Sequence, residues 1–465
     1  MRSLKTLATL VAAFAWVACS PDLTVENKNA GSLNDLETSP TPTTIATATQ
    51  GIFDQSRNLV QQFYIVITGE LGREGYCMDP TNPDCVTHPL QEGPDPGRYE
   101  VTSLYTPPYV PIRLANVVLT ATDLVTGLTD PQKEGIRGVA KTMKALNFLY
   151  LIGVFDASGL PIDVDRPPGS GLAPVVPKDS VNRYIAQLLE QAKTHLLAAG
   201  TSFAFKLPPG FAGFDTPTGF LRFNRALKSR VDVYMGQYST ALTSLGESFI
   251  STASGSLTAL NTGVYHSFST SSGDLSLAQW VYDPTSRIVM AHASLQTDAK
   301  LRADATLDLR YQRKVAPVAQ RTLSGVTANL GFTIYTSPGA PVPIIRNEEL
   351  ILLRAEANLG AGNAAVALPD INFVRTNSGG LDPVGAPWLA LTAAQQLDSL
   401  LYEKRYSLLW EGGHRWIDLR RYNRLSQLPK YLPTHKIFPY WPLAQPECVP
   451  RNPQPPGCVT PAPIP

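Results

Sequence analysis

The chain is short of charge. Asp, Glu, Lys and Arg make up 17% of its 465 residues, against about 25% in an ordinary soluble protein, and the formal net charge is +1. No stretch gathers Lys and Arg into a stripe, which argues against a nucleic-acid partner. Beyond Leu7–Ala18 no apolar run approaches the roughly 20 residues of a membrane-spanning helix, so the body is expected to be soluble. No Gly-x-Ser-x-Gly elbow, P-loop or His-Glu-x-x-His sequence occurs. The chain therefore lacks the common nucleophile, nucleotide and zinc motifs, and neither a cofactor, a metal nor a catalytic activity is expected.

Cysteine is scarce as well, at five residues, but its placement is informative. Arg2 and Lys5 precede the short apolar run Leu7–Ala15, then Trp16-Val17-Ala18-Cys19. A run this short with a basic start reads as a signal peptide over 1–18. The small residue before Cys19 resembles a lipobox, in which the Cys19 thiol takes a diacylglycerol and becomes the first residue of the mature chain. Acyl chains hold a protein on a membrane through about 0.8 kcal/mol per buried CH₂. The polar residues 19–43 read as a tether, and 44–465 as one domain. The other four cysteines fall in two close pairs, Cys77 with Cys85 and Cys448 with Cys458, in Pro-rich loops. That suits two local disulfides in an exported protein.

Helical periodicity dominates what remains. A helix is predicted from Pro42–Thr44 through Tyr64, followed by a long loop over 72–100 and a second helix from Pro111. A third is predicted from Asp130-Pro131 to Gly153, and a fourth from Val181 to Ala199. Gly236-Gln-Tyr238-Ser-Thr-Ala241 and Leu359-Gly-Ala-Gly-Asn363 read as turns of tetratricopeptide-like helical hairpins. Residues 250–343 differ: rich in Ser, Thr and Gly, they are predicted to be loops and short strands inserted on the helical frame. Thr392-Ala-Ala-Gln395 is a capping box for a helix stopped by Gly412. The fold class is thus mostly α, helical hairpins with an inserted loop-rich region.

Two polar signatures sit within the apolar helical pattern: Arg346-Asn-Glu-Glu349-Leu-Ile-Leu-Leu-Arg-Ala-Glu356-Ala-Asn358, and Glu403-Lys-Arg405 with Trp410-Glu411-Gly-Gly-His-Arg415-Trp416-Ile-Asp418-Leu-Arg420-Arg421. With Ala140–Leu151 running into Leu160-Pro161, and Arg225–Leu242, these motifs resemble the SusD/RagB family of outer-membrane nutrient-binding lipoproteins. Together with Cys19 they span most of the chain. The resemblance implies four tetratricopeptide-like helix pairs under a variable loop-rich half. It implies an oligosaccharide or peptide ligand, and a SusC-like TonB-dependent outer-membrane transporter as partner. Glu411-Gly-Gly-His-Arg415 carries one Gly more than the family's simplest form, and the Cys-bearing Pro-rich tail departs from its ending.

The charged residues Arg346, Glu349, Glu356, Glu403, Arg405, Glu411, Arg415, Asp418 and Arg420 are expected to form an ion-pair lattice. Each carboxylate has Arg close in sequence, and a carboxylate paired to Arg is a poor general acid. The lattice is expected to hold the scaffold and to touch no ligand. Sugar rings pack on flat aromatic faces, so Trp280, Tyr282, Trp388 and Tyr76 are the ligand-binding candidates, while Trp410 and Trp416 are assigned to the core. Binding chemistry is expected in 250–343 and the loops beside it. A lipid-anchored scaffold for proteins, or a secreted glycoside hydrolase, are the alternatives.

Overall fold

The computed structural model describes residues 33–167, 169–277 and 288–465. Its longer helices are α1 (Pro42–Leu59), α2 (Tyr99–Leu124), α3 (Asp130–Phe155), α4 (Lys178–Ala198), α5 (Pro217–Tyr234), α6 (Tyr238–Gly246), α7 (Asn347–Gly360), α8 (Ala364–Asn377), α9 (Ala393–Ser407) and α10 (His414–Arg421). The fold is mostly α, as the periodicity predicts, and successive helices pack as hairpins: α1 on α2, α3 on α4, α5 on α6 and α7 on α8. The two predicted turns meet in space. A Cβ on Gly360 would lie 2.2 Å from the Tyr238 ring, so the bare glycine at the end of α7 lets the aromatic of the α5–α6 hairpin settle against it. Among the described residues no helix is long and apolar enough to cross a membrane.

Caps explain where the helices begin. Thr41 opens α1, and the Thr392–Gln395 box opens α9 as predicted. Three boundaries differ from the sequence reading. Helix α3 is capped by Thr129, whose hydroxyl accepts from Gln132 N, and it runs through Gly153 to Phe155. Helix α2 begins at Tyr99 and carries Pro107, Pro108 and Pro111 inside it. Each proline removes a helix N–H, but Tyr105 packs on Phe155 at 5.2 Å and Tyr109 on Phe148 at 6.1 Å, so burial of these rings outweighs the lost bonds. Helix α9 ends at Ser407, before the predicted Gly412. The residues assigned to the tether also include the short helix Leu33–Thr38, which packs on α2 with Leu36 buried.

The strands are short and antiparallel: β1 (Gly75–Cys77) pairs with β5 (Val289–Ala291), β2 (Leu160–Pro161) with β3 (Val175–Val176), β4 (Gly263–His266) with β8 (Val342–Arg346), and β6 (Val315–Leu323) with β7 (Val326–Phe332). Ser324 and Gly325, both at positive φ, close the β6–β7 hairpin in the manner of a two-residue primed turn. Most of these strands lie in the inserted region 250–343, and β8 delivers the chain straight into α7.

Trp410 joins the two ends of the chain. Its indole stacks on Phe332, with centroids 4.3 Å apart. It fits because Gly69 and Gly75 have no side chain: a Cβ at either would come within 2.2 Å or 2.8 Å of the ring. Trp410, Trp416 and Trp441 are all fully buried.

Candidate functional site

A helix leaves its last carbonyls without intrahelical partners, and its C-terminus carries partial negative charge. Helix α9 ends at Ser407, where three cations gather. Lys314 Nζ donates to the Ser407 carbonyl at 2.6 Å, and Arg346 Nη2 donates to the same oxygen. Arg310 Nη1 donates to Ser407 Oγ at 3.1 Å, and that hydroxyl donates to Glu348 Oε1 at 2.6 Å.

Arg346 ends β8 and caps α7, so strand and helix together aim it at this point. Its Nε and Nη2 each donate to Glu411 at 2.9 Å, a bidentate pair, and Nη1 donates to Glu348. Arg310 binds Asp308 and Glu403, and Arg375 closes on the other Glu403 oxygen at 3.0 Å. Burial alone would raise the Glu348 carboxyl, but Arg346 and Lys314 outweigh it and hold the group down at about 2. Glu411 is lowered in the same way, against burial, by Arg346 and Lys314.

A second knot lies between α7, α9 and α10. Lys404 bridges Glu356 and Asp418 at 2.7 Å each, and Arg421 binds the same two carboxylates. Here too burial raises Glu356, while Arg421 and Lys404 bring it down to about 2. Arg230 of α5 holds Glu349 at 2.6 Å.

Above the first knot opens a cleft of about 410 Å³. The inserted region supplies Leu257, Asn261, Tyr265, Thr333, Ile334 and Pro341 to its walls. The short helix Leu309–Lys314 supplies Arg310, Arg313 and Lys314. Tyr335, Pro343, Arg346, Glu348, Ser378, Ser407 and Glu411 complete the lining. The cleft therefore lies where the inserted region meets the lattice, so that part of Arg346–Arg424, expected to touch no ligand, lines it. The cause is the β8–α7 junction, which places Arg346 under the insertion.

The sequence-predicted residues fall as follows. Cys19, Trp280 and Tyr282 lie outside the described residues. Trp388 is buried among the apolar side chains of α7, α8 and α9, with its indole N–H donated to Ser399 Oγ at 2.9 Å. Tyr76, on β1, is 1% exposed, its ring against His292 and Tyr431. Neither ring presents a face to a ligand: the apolar area that suits an aromatic to a sugar suits it equally to the core. Cys77–Cys85 and Cys448–Cys458 are disulfides.

The lattice residues are ion-paired or hydrogen-bonded; Arg346 with Glu348 and Asp418 with Arg421 pair locally, but many partners come from other elements. Arg405 reaches Asp298, Arg415 donates to the Arg73 carbonyl, and Arg420 faces Asp156 and donates to the Gly153 carbonyl. Arg354 goes to Asp370 instead of Glu356. Sequence reasoning missed Asn261, Tyr265, Arg310, Arg313 and Lys314. The last three had a legible signal, three cations within Arg310-Tyr-Gln-Arg-Lys314 just before a strand.

Burial raises the Glu70 carboxyl to about 8 and the Glu74 carboxyl to about 7, with Arg415 opposing the second. Their contacts are backbone N–H groups of Cys77 and Trp410, and neither lines the cleft.

This helical frame with an inserted, short-stranded half is a known class. The chain superposes on NanU of Bacteroides fragilis with TM-score 0.65 at 15% identity, covering 93% of this chain and 98% of that one. A SusD superfamily protein from Bacteroides vulgatus gives TM-score 0.67 at 17% identity, with 90% and 100% covered. A protein described as a SusD-like carbohydrate-binding protein from B. fragilis gives 0.65 at 14%, with 85% and 88% covered. The chain thus has the SusD-like fold. Residues 327–438, from β7 past α10, match the SusD family model, and this stretch holds both charged motifs. No curated protein matches it in sequence.

Proposed function

We propose that this chain is a lipoprotein, anchored through Cys19 at the outer membrane and facing the cell surface. It captures a nutrient oligosaccharide and passes it to a SusC-like TonB-dependent transporter. The observation that carries this reading is the cleft of about 410 Å³, lined by the inserted region and by the ion lattice, on a fold shared with a protein described as carbohydrate-binding. The helical hairpins face the transporter in this reading, and the inserted region with the cleft faces the nutrient.

The chain binds and does not cleave. The carboxylates on the cleft wall, Glu348 and Glu411, are held ionised by Arg346 and Lys314, whereas glycoside hydrolysis needs one carboxyl kept protonated to serve as acid. Two measurements test the reading. Membranes solubilised in mild detergent should yield a large β-barrel transporter with the tagged full chain; recovery of assembly factors in its place would favour the scaffold alternative. A panel of oligosaccharides should give saturable binding with no product released. Release of shortened glycans would refute the binding-only assignment.

A further inference from the structure

The charges around the cleft are not equally available. Glu348 and Glu411 are both bound to Arg346, and Glu411 also holds Lys314 at 3.0 Å. Arg310 is fully buried and bound to Asp308 and Glu403. Arg346 uses Nε, Nη1 and Nη2 on the lattice. Arg313 is the exception. It is exposed, and among the described residues no carboxylate forms an ion pair with it. Its guanidinium makes two contacts, both from Nη2: one to the Ser378 carbonyl at 2.8 Å and one to Ser378 Oγ at 3.3 Å. These hold the group at the cleft wall, since Ser378 lines it too, while Nε and Nη1 donate to nothing described. Every carboxylate on the wall is consumed and one guanidinium is not, so the cleft presents net positive charge to whatever enters.

The rest of the wall suits a sugar. Tyr265 is half-buried, Asn261 and Thr333 offer polar atoms, and Ile334 and Pro341 are apolar.

Resting on the nutrient-binding reading above, we infer that the ligand is an acidic oligosaccharide, whose carboxylate is taken by the free N–H groups of Arg313. A guanidinium and a carboxylate make a charge-assisted, directional pair that a neutral sugar cannot reproduce. The lattice behind it holds the Ser407 end of α9 fixed, so the wall that the sugar meets is rigid.

Calorimetry on the full chain in detergent tests this, with oligogalacturonate, its methyl ester and a Glu-rich peptide as probes. The acid should bind about tenfold more tightly than the ester, the equivalent of about 1.4 kcal/mol, and the gap should shrink as salt is raised. Arg313→Gln should close the gap and Arg313→Lys should restore part of it, with thermal melts unchanged because Arg313 is exposed. Leu257→Trp, also at an exposed position on the cleft wall, should weaken both sugars if they sit in this cleft. Equal binding of acid and ester, both weakened by Leu257→Trp, would overturn the acidic-ligand inference and leave the nutrient-binding reading intact. Binding of the peptide in preference to either sugar would overturn the inference. No binding of any glycan across the panel would overturn both.

Discussion

Arg346→Met tests the lattice most directly. The substitution keeps an unbranched apolar stem of similar reach and removes the guanidinium. Glu348 and Glu411, whose side chains are 5% and 6% exposed, then lose the cation that binds them both. Breaking a buried pair by deleting one partner costs about 3–5 kcal/mol. The lower end is expected, because Lys314 still reaches Glu411 at 3.0 Å. Unfolding entropy of about 2.1 cal/mol/K per residue makes each kcal/mol worth roughly 1 °C in a chain of this length, so Tm should fall by about 3 °C near pH 7.

The pH dependence separates charge from packing. In the native chain Glu348 is depressed to about 2, so its stabilisation is fully present above its ordinary value and is lost as pH falls toward about 2. In the variant both carboxyls are raised, and protonation relieves them as pH falls. The Tm gap between the two proteins, read by scanning calorimetry, should therefore narrow steadily from neutral pH to about pH 4. A gap that stays constant over this range would mean that Arg346 acts through packing alone and would refute the electrostatic reasoning.

Gly413→Ala should lower stability by about 1–3 kcal/mol, since Gly413 has φ +76 and the new Cβ would meet Thr68 Cβ at 2.4 Å; an unchanged melt would show that the turn relaxes freely. Replacing Cys448 and Cys458 together by Ser should cost about 2–3 kcal/mol, the contribution of closing a short loop, and limited proteolysis should then cut within the tail first. Under the proposed lipidation, Cys19→Ser should move the chain from the membrane fraction to the soluble one, because acyl chains at that residue would supply the anchor; retention in the membrane would sink lipidation there.

The helical frame was legible because amphipathic period and caps are local: Thr392 and Gln395 identify the start of α9 without tertiary information. The errors came where packing overrides local chemistry. Three prolines would end most helices, yet α2 runs through them because Tyr105 and Tyr109 bury their rings on α3. The charged motifs announced a lattice but not its pairing. Glu411 sits four residues from Arg415 in sequence, yet binds Arg346 from another element. Side-chain partners across 65 residues are set by the fold, and no spacing rule reports them. Aromatic side chains misled for a related reason. Trp388 and Tyr76 have the right chemistry for a sugar platform, and composition alone does not separate a core ring from an exposed one.

The position of Trp410 bears on how the molecule comes into being. Its backbone N–H reaches Glu74, 336 residues earlier, and its indole fills the space that Gly69 and Gly75 leave open. A chain that emerges N-terminus first presents that slot long before the ring that fills it has been made. Until Trp410 arrives, the seam at Gly69 and Gly75 is unfilled. Completion of the native state is therefore tied to the last part of the chain.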